Sequence, residues 1–327
     1  MKQIVVHSPG SPQAMQVEDV PTPQPAADQV LVDVAACGVN FIDTYQRSGV
    51  YPVPMPHPLG LEGAGVVREV GADVDFATVG DHVAWAGSRG SYAEQVLLGA
   101  QDCYRVPEGV DLTVAAALML QGLTAHYLSA STFPLGADHT ALVHAGAGGV
   151  GLLLTQLAVA RGARVITTVS TSDKEALSRE AGASDVIRYD QFDSVSDELP
   201  AAVRSLTDGA GVDVVYDGVG ATTFDGSLAS LKPRGMLALF GGSSGQVPPF
   251  DLQRLSRAGS MYVTRPSMGH YLATAEERSW RAEELFGAVR SGNLNVRIGE
   301  TFPFDRAGEA HAALEGRRTT GKVVLIP

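Results

Sequence analysis

Two rhythms of hydrophobic and polar positions divide the chain. In the first, short apolar, β-rich runs are broken by turns: residues 4–7, 30–35, 81–86 and 91–98 read as strands. Pro21, Pro23 and Pro25 keep the link between the first two extended. Residues 60–70 (GLEGAGVVREV) set glycines in an apolar, β-rich segment, which predicts close backbone packing or bulges. Near Leu112 the rhythm changes. Residues 112–120 and 122–129 suit two helices. Strands at 141–144, 164–169, 185–187, 212–216 and 236–240 then alternate with helices at 148–161, 174–181, 199–206 and 224–231. That alternation predicts right-handed crossovers and a parallel sheet covered on both faces. Beyond Met261 it lapses. Helices at 276–291 and 306–315 and a strand at 322–326 return to the first domain. The expected division is therefore 121–262 inserted between 1–120 and 263–327.

Composition narrows the function. The 327 residues suit two domains of ordinary size. Twenty-four basic against 36 acidic residues give a net charge of −12, which disfavours a dedicated nucleic-acid binder and docking on anionic membrane. No stretch reaches ~18 unbroken apolar residues; the longest candidate, 150–160, is interrupted by Thr155 and Gln156. The N-terminus lacks the long apolar core of a signal peptide. Cys37 and Cys103 are too few for a disulfide scaffold and suit a reducing compartment, so the chain reads as soluble and cytoplasmic. Lysine is rare, at Lys2, Lys174, Lys232 and Lys322 only, so a lysine beside a motif stands out.

Residues 142–152 read Leu-Val-His-Ala-Gly-Ala-Gly-Gly-Val-Gly-Leu, a G-x-G-x-x-G at Gly146, Gly148 and Gly151 between a predicted strand and a predicted helix. Those glycines permit a tight turn and let backbone N–H groups approach a pyrophosphate at a helix N-terminus. An NAD site usually ends the next strand in Asp or Glu. Here the strand ends Val169-Ser170-Thr171-Ser172-Asp173-Lys174, hydroxyls first and then a lysine. Such a terminus accepts a 2′-phosphate, and the reading is NADPH. Thr171 or Ser172 also serves as a helix N-cap there.

Residues 39–51 (VNFIDTYQRSGVY) and 60–65 (GLEGAG) resemble the N-terminal signature of the quinone oxidoreductases of the medium-chain dehydrogenase/reductase superfamily, which include the zeta-crystallins. The glycine loop, 214–220 (VVYDGVG), 240–245 (FGGSSG), 262–267 (YVTRPS) and 321–327 (GKVVLIP) extend the resemblance over the chain. It implies an α/β protein in which a GroES-like β-rich catalytic domain pairs with a doubly wound parallel-sheet Rossmann domain, with NADPH in the cleft between them. Zinc-dependent members carry a Cys, a Gly-His-Glu triplet and a later donor. Here those positions read Asn40, Gly60-Leu61-Glu62 and the neighbourhood of Gln121, which implies a zinc-free site. Cys37 reads as a buried small apolar residue, His57 as a turn histidine and Glu62 as a structural glutamate, with metal binding the lesser alternative for the last two.

The resemblance also implies residue roles. Asn40, Tyr45 and Tyr51 lie around the nicotinamide end, where a quinone is reduced by hydride or electron transfer from nicotinamide C4; packing is the alternative role for the tyrosines. Tyr127, Gly149 and Val150 follow the phosphates and ribose. Ser170, Lys174 and Tyr189 surround the 2′-phosphate. Gly218, Phe240, Gly241, Gly242 and Ser243 line the cleft, and Arg317 or its neighbour Arg318 closes on the phosphate. Asp43 is open between structure and chemistry, and 191–199 is expected as a surface loop. Enone reduction is the competing activity, and a nucleotide-binding structural or RNA-binding protein the competing class. A homodimer through the Rossmann domain is expected, because 261–264 would form an exposed sheet edge.

Overall fold

The computed structural model describes residues 1–327, and the chain divides into two compact units, Met1–Leu123 with Thr274–Pro327 and Thr124–Ala273.

The first unit is β-rich. Its principal sheet orders the strands Ile298–Pro303, Lys322–Ile326, Gln29–Val39, Glu62–Val70, His82–Ala86 and Cys103–Arg105, with Gln95–Gly99 also paired to Gln29–Val39. The terminal strand thus returns to the first unit, Val324 opposite Gly38. A small second sheet joins Met15–Asp19, Lys2–Val6 and His57–Pro58. Buried apolar side chains such as Val32, Leu59, Trp85 and Leu325 form the core. The glycines of Glu62–Val70 are there for close approach: a β-carbon on Gly63 would stand 2.8 Å from the Ala36 carbonyl oxygen. Cys37 is fully buried, and burial raises its thiol well above the ordinary value.

The second unit carries six parallel strands: Thr140–Val143 (β1), Arg164–Val169 (β2), Asp185–Arg188 (β3), Val212–Asp217 (β4), Leu231–Leu239 (β5) and Tyr262–Thr264 (β6). Their spatial order is β3-β2-β1-β4-β5-β6, the doubly wound order with its reversal at β1/β4. Leu142, Ile166, Val215 and Leu237 pack beneath the helices. Because β6 pairs with β5, the chain leaves this unit after Ala273, later than the 262/263 boundary read from the sequence.

Three local expectations are corrected. Residues 112–129 are not two helices: Leu112–Tyr127 is continuous and runs into a π-helical turn, Leu128–Thr132. Gly122 does not break the helix, because its missing side chain makes room for Leu118, whose Cδ1 would stand 2.7 Å from a β-carbon there. This helical run, not 150–160, is the one long and apolar enough to cross a membrane, and most of it is buried inside the protein. The expected loop at 191–199 is largely helical, since Val195–Leu206 begins early and carries Pro200 inside it.

Candidate active site

Most of the cofactor residues read from the sequence share one edge of the second unit, because they follow the carboxyl ends of its parallel strands; Tyr127 precedes β1, and Asn40 and Arg317 belong to the first unit. The glycine loop follows β1, Ser170 follows β2, Tyr189 follows β3, Gly218 follows β4 and Phe240 follows β5. Open α/β sheets bind ligands along this edge.

Within the loop the glycines do different work. Ala145 takes a left-handed backbone (φ 53°). A β-carbon on Gly146 would stand 2.6 Å from Thr167 Cβ, and one on Gly151 would overlap the Ala145 carbonyl oxygen. Gly146 therefore lets the loop lie on β2, and Gly151 lets helix Gly149–Ala160 lie on the loop. Gly148 is its N-cap, where a β-carbon would meet only Ala145, at 3.2 Å. The first helical N–H groups, at Gly149, Val150 and Gly151, have no intrahelical acceptor, the general condition under which a helix N-terminus can bind an anion.

Behind the loop lies a polar strut that the sequence reading missed. His144 is buried, with Nδ1 at 2.9 Å from Thr168 Oγ1 and Nε2 at 2.9 Å from Ser227 Oγ. Ser227 donates to Asp217 Oδ2 at 2.8 Å, and Asp217 Oδ1 accepts from the N–H groups of Val219 and Gly220. The ends of β1, β2 and β4 are thereby tied together. Burial lowers the His144 imidazole and keeps it neutral. Beyond β4, Phe240 packs over Gly218, and the Ser243 N–H donates to the Gly218 carbonyl at 3.2 Å. Gly241 lies on the Gly218 backbone, while Gly242 lies close to the backbone of Gly220 and Gly245.

At the end of β2, Thr171 is the N-cap of helix Ser172–Glu180 and accepts from the Lys174 N–H at 3.3 Å. Lys174 Nζ reaches Ser170 Oγ at 3.4 Å. Arg188, opposite Val169 in the β2–β3 register and ion-paired with Asp190, brings a second cation to this end that was not singled out from the sequence. Tyr189 opens a short 3₁₀ turn. Tyr127 is buried and stacks on Tyr271, centroids 4.5 Å apart and planes within 4°. Tyr271 carried no sequence signal. Arg317 belongs to the other unit, in a left-handed conformation (φ 55°) two residues past helix Ala307–Glu315.

In the first unit, Asn40 is the N-cap of helix Phe41–Ser48, and its N–H donates to Asp43 Oδ2 at 2.8 Å. Gly49 ends the helix with φ 84°, which returns the chain so that Tyr51 lies beside Tyr45, ring centroids 5.1 Å apart. Phe41 extends this aromatic surface, 6.2 Å from Tyr45. Asp43 is wholly buried; desolvation lifts it from the ordinary 3.8 to about 7, against hydrogen bonds from the Asn40 N–H and Tyr92. Tyr92 OH donates to Asp43 Oδ2 at 2.9 Å and lies 3.2 Å from His311 Nε2. Burial, with Arg47 nearby, lowers His311 to about 3.

The residues at the zinc-ligand positions do not fit that ion. Leu61 offers no donor atom. Glu62 is ion-paired with Lys322, accepts from Asn40 Nδ2 at 2.6 Å, and accepts from the Leu120 N–H at 2.7 Å. An ammonium group thus stands among the atoms that would have to coordinate a dication. His57 is no turn residue; it pairs in the short strand His57–Pro58 and faces Gln46 at 3.4 Å. No three His, Cys, Asp or Glu side chains converge elsewhere.

Comparison with known proteins agrees with this architecture. Residues 26–108 match the alcohol dehydrogenase GroES-like domain, and 149–280 match the family described as zinc-binding dehydrogenase. The chain is 43% identical to a quinone oxidoreductase of Pseudomonas aeruginosa over all of this chain and 99% of that protein. It is 38% identical to a 2-haloacrylate reductase of Burkholderia, covering 99% of this chain and 98% of that one. The crystal structure of Escherichia coli quinone oxidoreductase complexed with NADPH superposes with a TM-score of 0.96 at 40% identity, each chain fully covered.

Proposed function

Because the chain belongs to the quinone oxidoreductase family of medium-chain dehydrogenases/reductases, we propose that it reduces quinones with NADPH and without a metal. The observation that carries this reading is the carboxyl edge of the sheet: a phosphate-binding loop at β1, and Ser170 with Lys174, rather than a carboxylate, at the end of β2. Bound NADPH supplies a hydride from nicotinamide C4; with one proton from solvent, a quinone becomes a hydroquinone. The chain holds the pyrophosphate on Gly146–Gly151 and the 2′-phosphate on Ser170, Lys174 and Tyr189, with Arg317 as a further cation. Tyr127 follows the phosphates and ribose, and Gly218 with Phe240–Ser243 lines the carboxyl ends of the later strands. Asn40, Tyr45 and Tyr51 take the planar substrate, the tyrosines as flat walls and Asn40 as a hydrogen-bond donor. A quinone asks little more, because its charge spreads over the ring, so positioning supplies much of the rate. A panel of simple quinones and α,β-unsaturated carbonyls, followed by NADPH absorbance, tests the reading. Quinones should be the better acceptors; turnover of enones alone would move the assignment to double-bond reduction, the reading that similarity to a 2-haloacrylate reductase favours.

The assembly expected is a homodimer joined at β6. In support, that edge strand leaves Tyr262 59% and Val263 37% exposed. Action in the cytoplasm is supported by the two unpaired cysteines.

A further inference from the structure

Lys322 opens the terminal strand, yet it is only 1% exposed, and Glu62, its ion-pair partner, is fully buried. Such a pair is a weak source of stability, because desolvation offsets the attraction. Its geometry instead constrains a third side chain. Lys322 Nζ donates to Asn40 Oδ1 at 2.8 Å, while Asn40 Nδ2 donates to Glu62 Oε1 at 2.6 Å. An ammonium only donates and a carboxylate only accepts. The Asn40 carboxamide therefore has one satisfied orientation, oxygen toward Lys322 and nitrogen toward Glu62. The reverse would set C=O against carboxylate and NH₂ against ammonium. Glu62 cannot turn to relieve this, since its other oxygen accepts from the Leu120 N–H. Gly38 makes the arrangement possible: a β-carbon there would overlap Glu62 and Lys322 together. One Asn40 N–H is committed to Glu62. The second reaches the Gly38 carbonyl at 3.5 Å, the outer limit of a hydrogen bond.

We propose that Lys322 is a positioning residue: with Glu62 it fixes the Asn40 carboxamide so that its second N–H, and not its C=O, meets the carbonyl oxygen of the substrate. This rests on the quinone-reductase reading above. As hydride reaches the quinone, negative charge grows on that oxygen, where a fixed N–H stabilises it and a C=O dipole would oppose it.

The test is a mutant cycle. Lys322→Met with Glu62→Gln removes both charges together and leaves no buried ion uncompensated. The double variant should melt near the wild type and bind NADPH equally, yet lose roughly tenfold in kcat with a simple quinone, as expected for one misplaced donor to a delocalised charge. Asn40→Ala should cost about tenfold in the wild type and nothing further in the double variant, while Lys322→Arg retains most of the rate. Should the double variant fail to fold, Lys322→Gln enters the same cycle. Wild-type kcat in a folded charge-free variant, or an equal Asn40→Ala cost in both backgrounds, overturns the proposal. A readout independent of turnover is proton exchange of the ¹⁵N-labelled Asn40 side-chain amide. It should be slow in the wild type and fast without the pair; equal exchange also overturns it. Failure of the wild type to reduce any quinone would instead fell the activity reading, and the exchange measurement would still decide the role of Lys322.

Discussion

Asp43 and His311 are both buried against Tyr92, and they pull the pH dependence of stability in opposite directions. Asp43 titrates at about 7 in the fold against an ordinary 3.8, so its contribution is full below 3.8 and is lost as pH rises to about 7. His311 titrates at about 3 against 6.5, so its contribution is full above 6.5 and is lost as pH falls to about 3. Each term is on the order of a few kcal/mol, at about 1.4 kcal/mol per pH unit. Across the shared window the slopes cancel. Asp43→Asn should therefore give stability that climbs with pH up to about 6.5, and His311→Gln stability that falls with pH up to about 7. Urea midpoints taken at intervals from acid to neutral pH check this; two variants running parallel to the wild type would refute it. At the other unit's sheet edge, Lys174→Ala should weaken NADPH about tenfold at low salt and leave NADH nearly unchanged, since a half-exposed cation sits near the low end for a charge-assisted bond. Ser170→Asp should cost more, because it adds repulsion. Titration of both nucleotides decides; equal weakening of both would return Lys174 to the helix surface.

The glycine loop and the helix behind it separate packing from binding. Gly151→Ala would drive its methyl into the Ala145 carbonyl, so helix Gly149–Ala160 must shift. It should lower the melting temperature and abolish nucleotide binding together. Gly148→Ala meets one atom at 3.2 Å. It should leave stability within about 1 kcal/mol of the wild type while still weakening NADPH, because the methyl enters space a phosphate needs. Calorimetry and nucleotide titration on both variants distinguish the two roles; matching losses of stability would contradict the assignment. This loop was legible in the sequence because its chemistry is local: a strand, three glycines at fixed spacing, a helix. The Rossmann sheet was legible for a similar reason, its strands and helices being marked by periodicity and glycine stops. The Lys322–Glu62–Asn40 cluster was not. Its members lie up to 282 residues apart, and only the rarity of lysine hinted at it. Nor does periodicity reveal that Gly122 makes room for Leu118 or that Pro200 sits inside a helix, since both are settled by tertiary packing.

At the scale of the whole molecule, an acidic chain of two units carries a nucleotide edge on one and a buried amide–ion cluster on the other. If copies join through β6, light scattering at micromolar concentration should give twice the 34.2 kDa chain mass, and Val263→Asp should return it to the single-chain value. A single-chain wild type would contradict this. On the function proposed, fixed hydrogen bonds and charges of the chain, not a metal ion, prepare the site for NADPH to reduce a quinone. Quinone-dependent NADPH oxidation before and after exhaustive chelation tests it most directly. The rate should be the same in both samples, with no stoichiometric zinc in either. Absence of quinone-dependent oxidation, or a rate lost on chelation and recovered only with zinc, would contradict it.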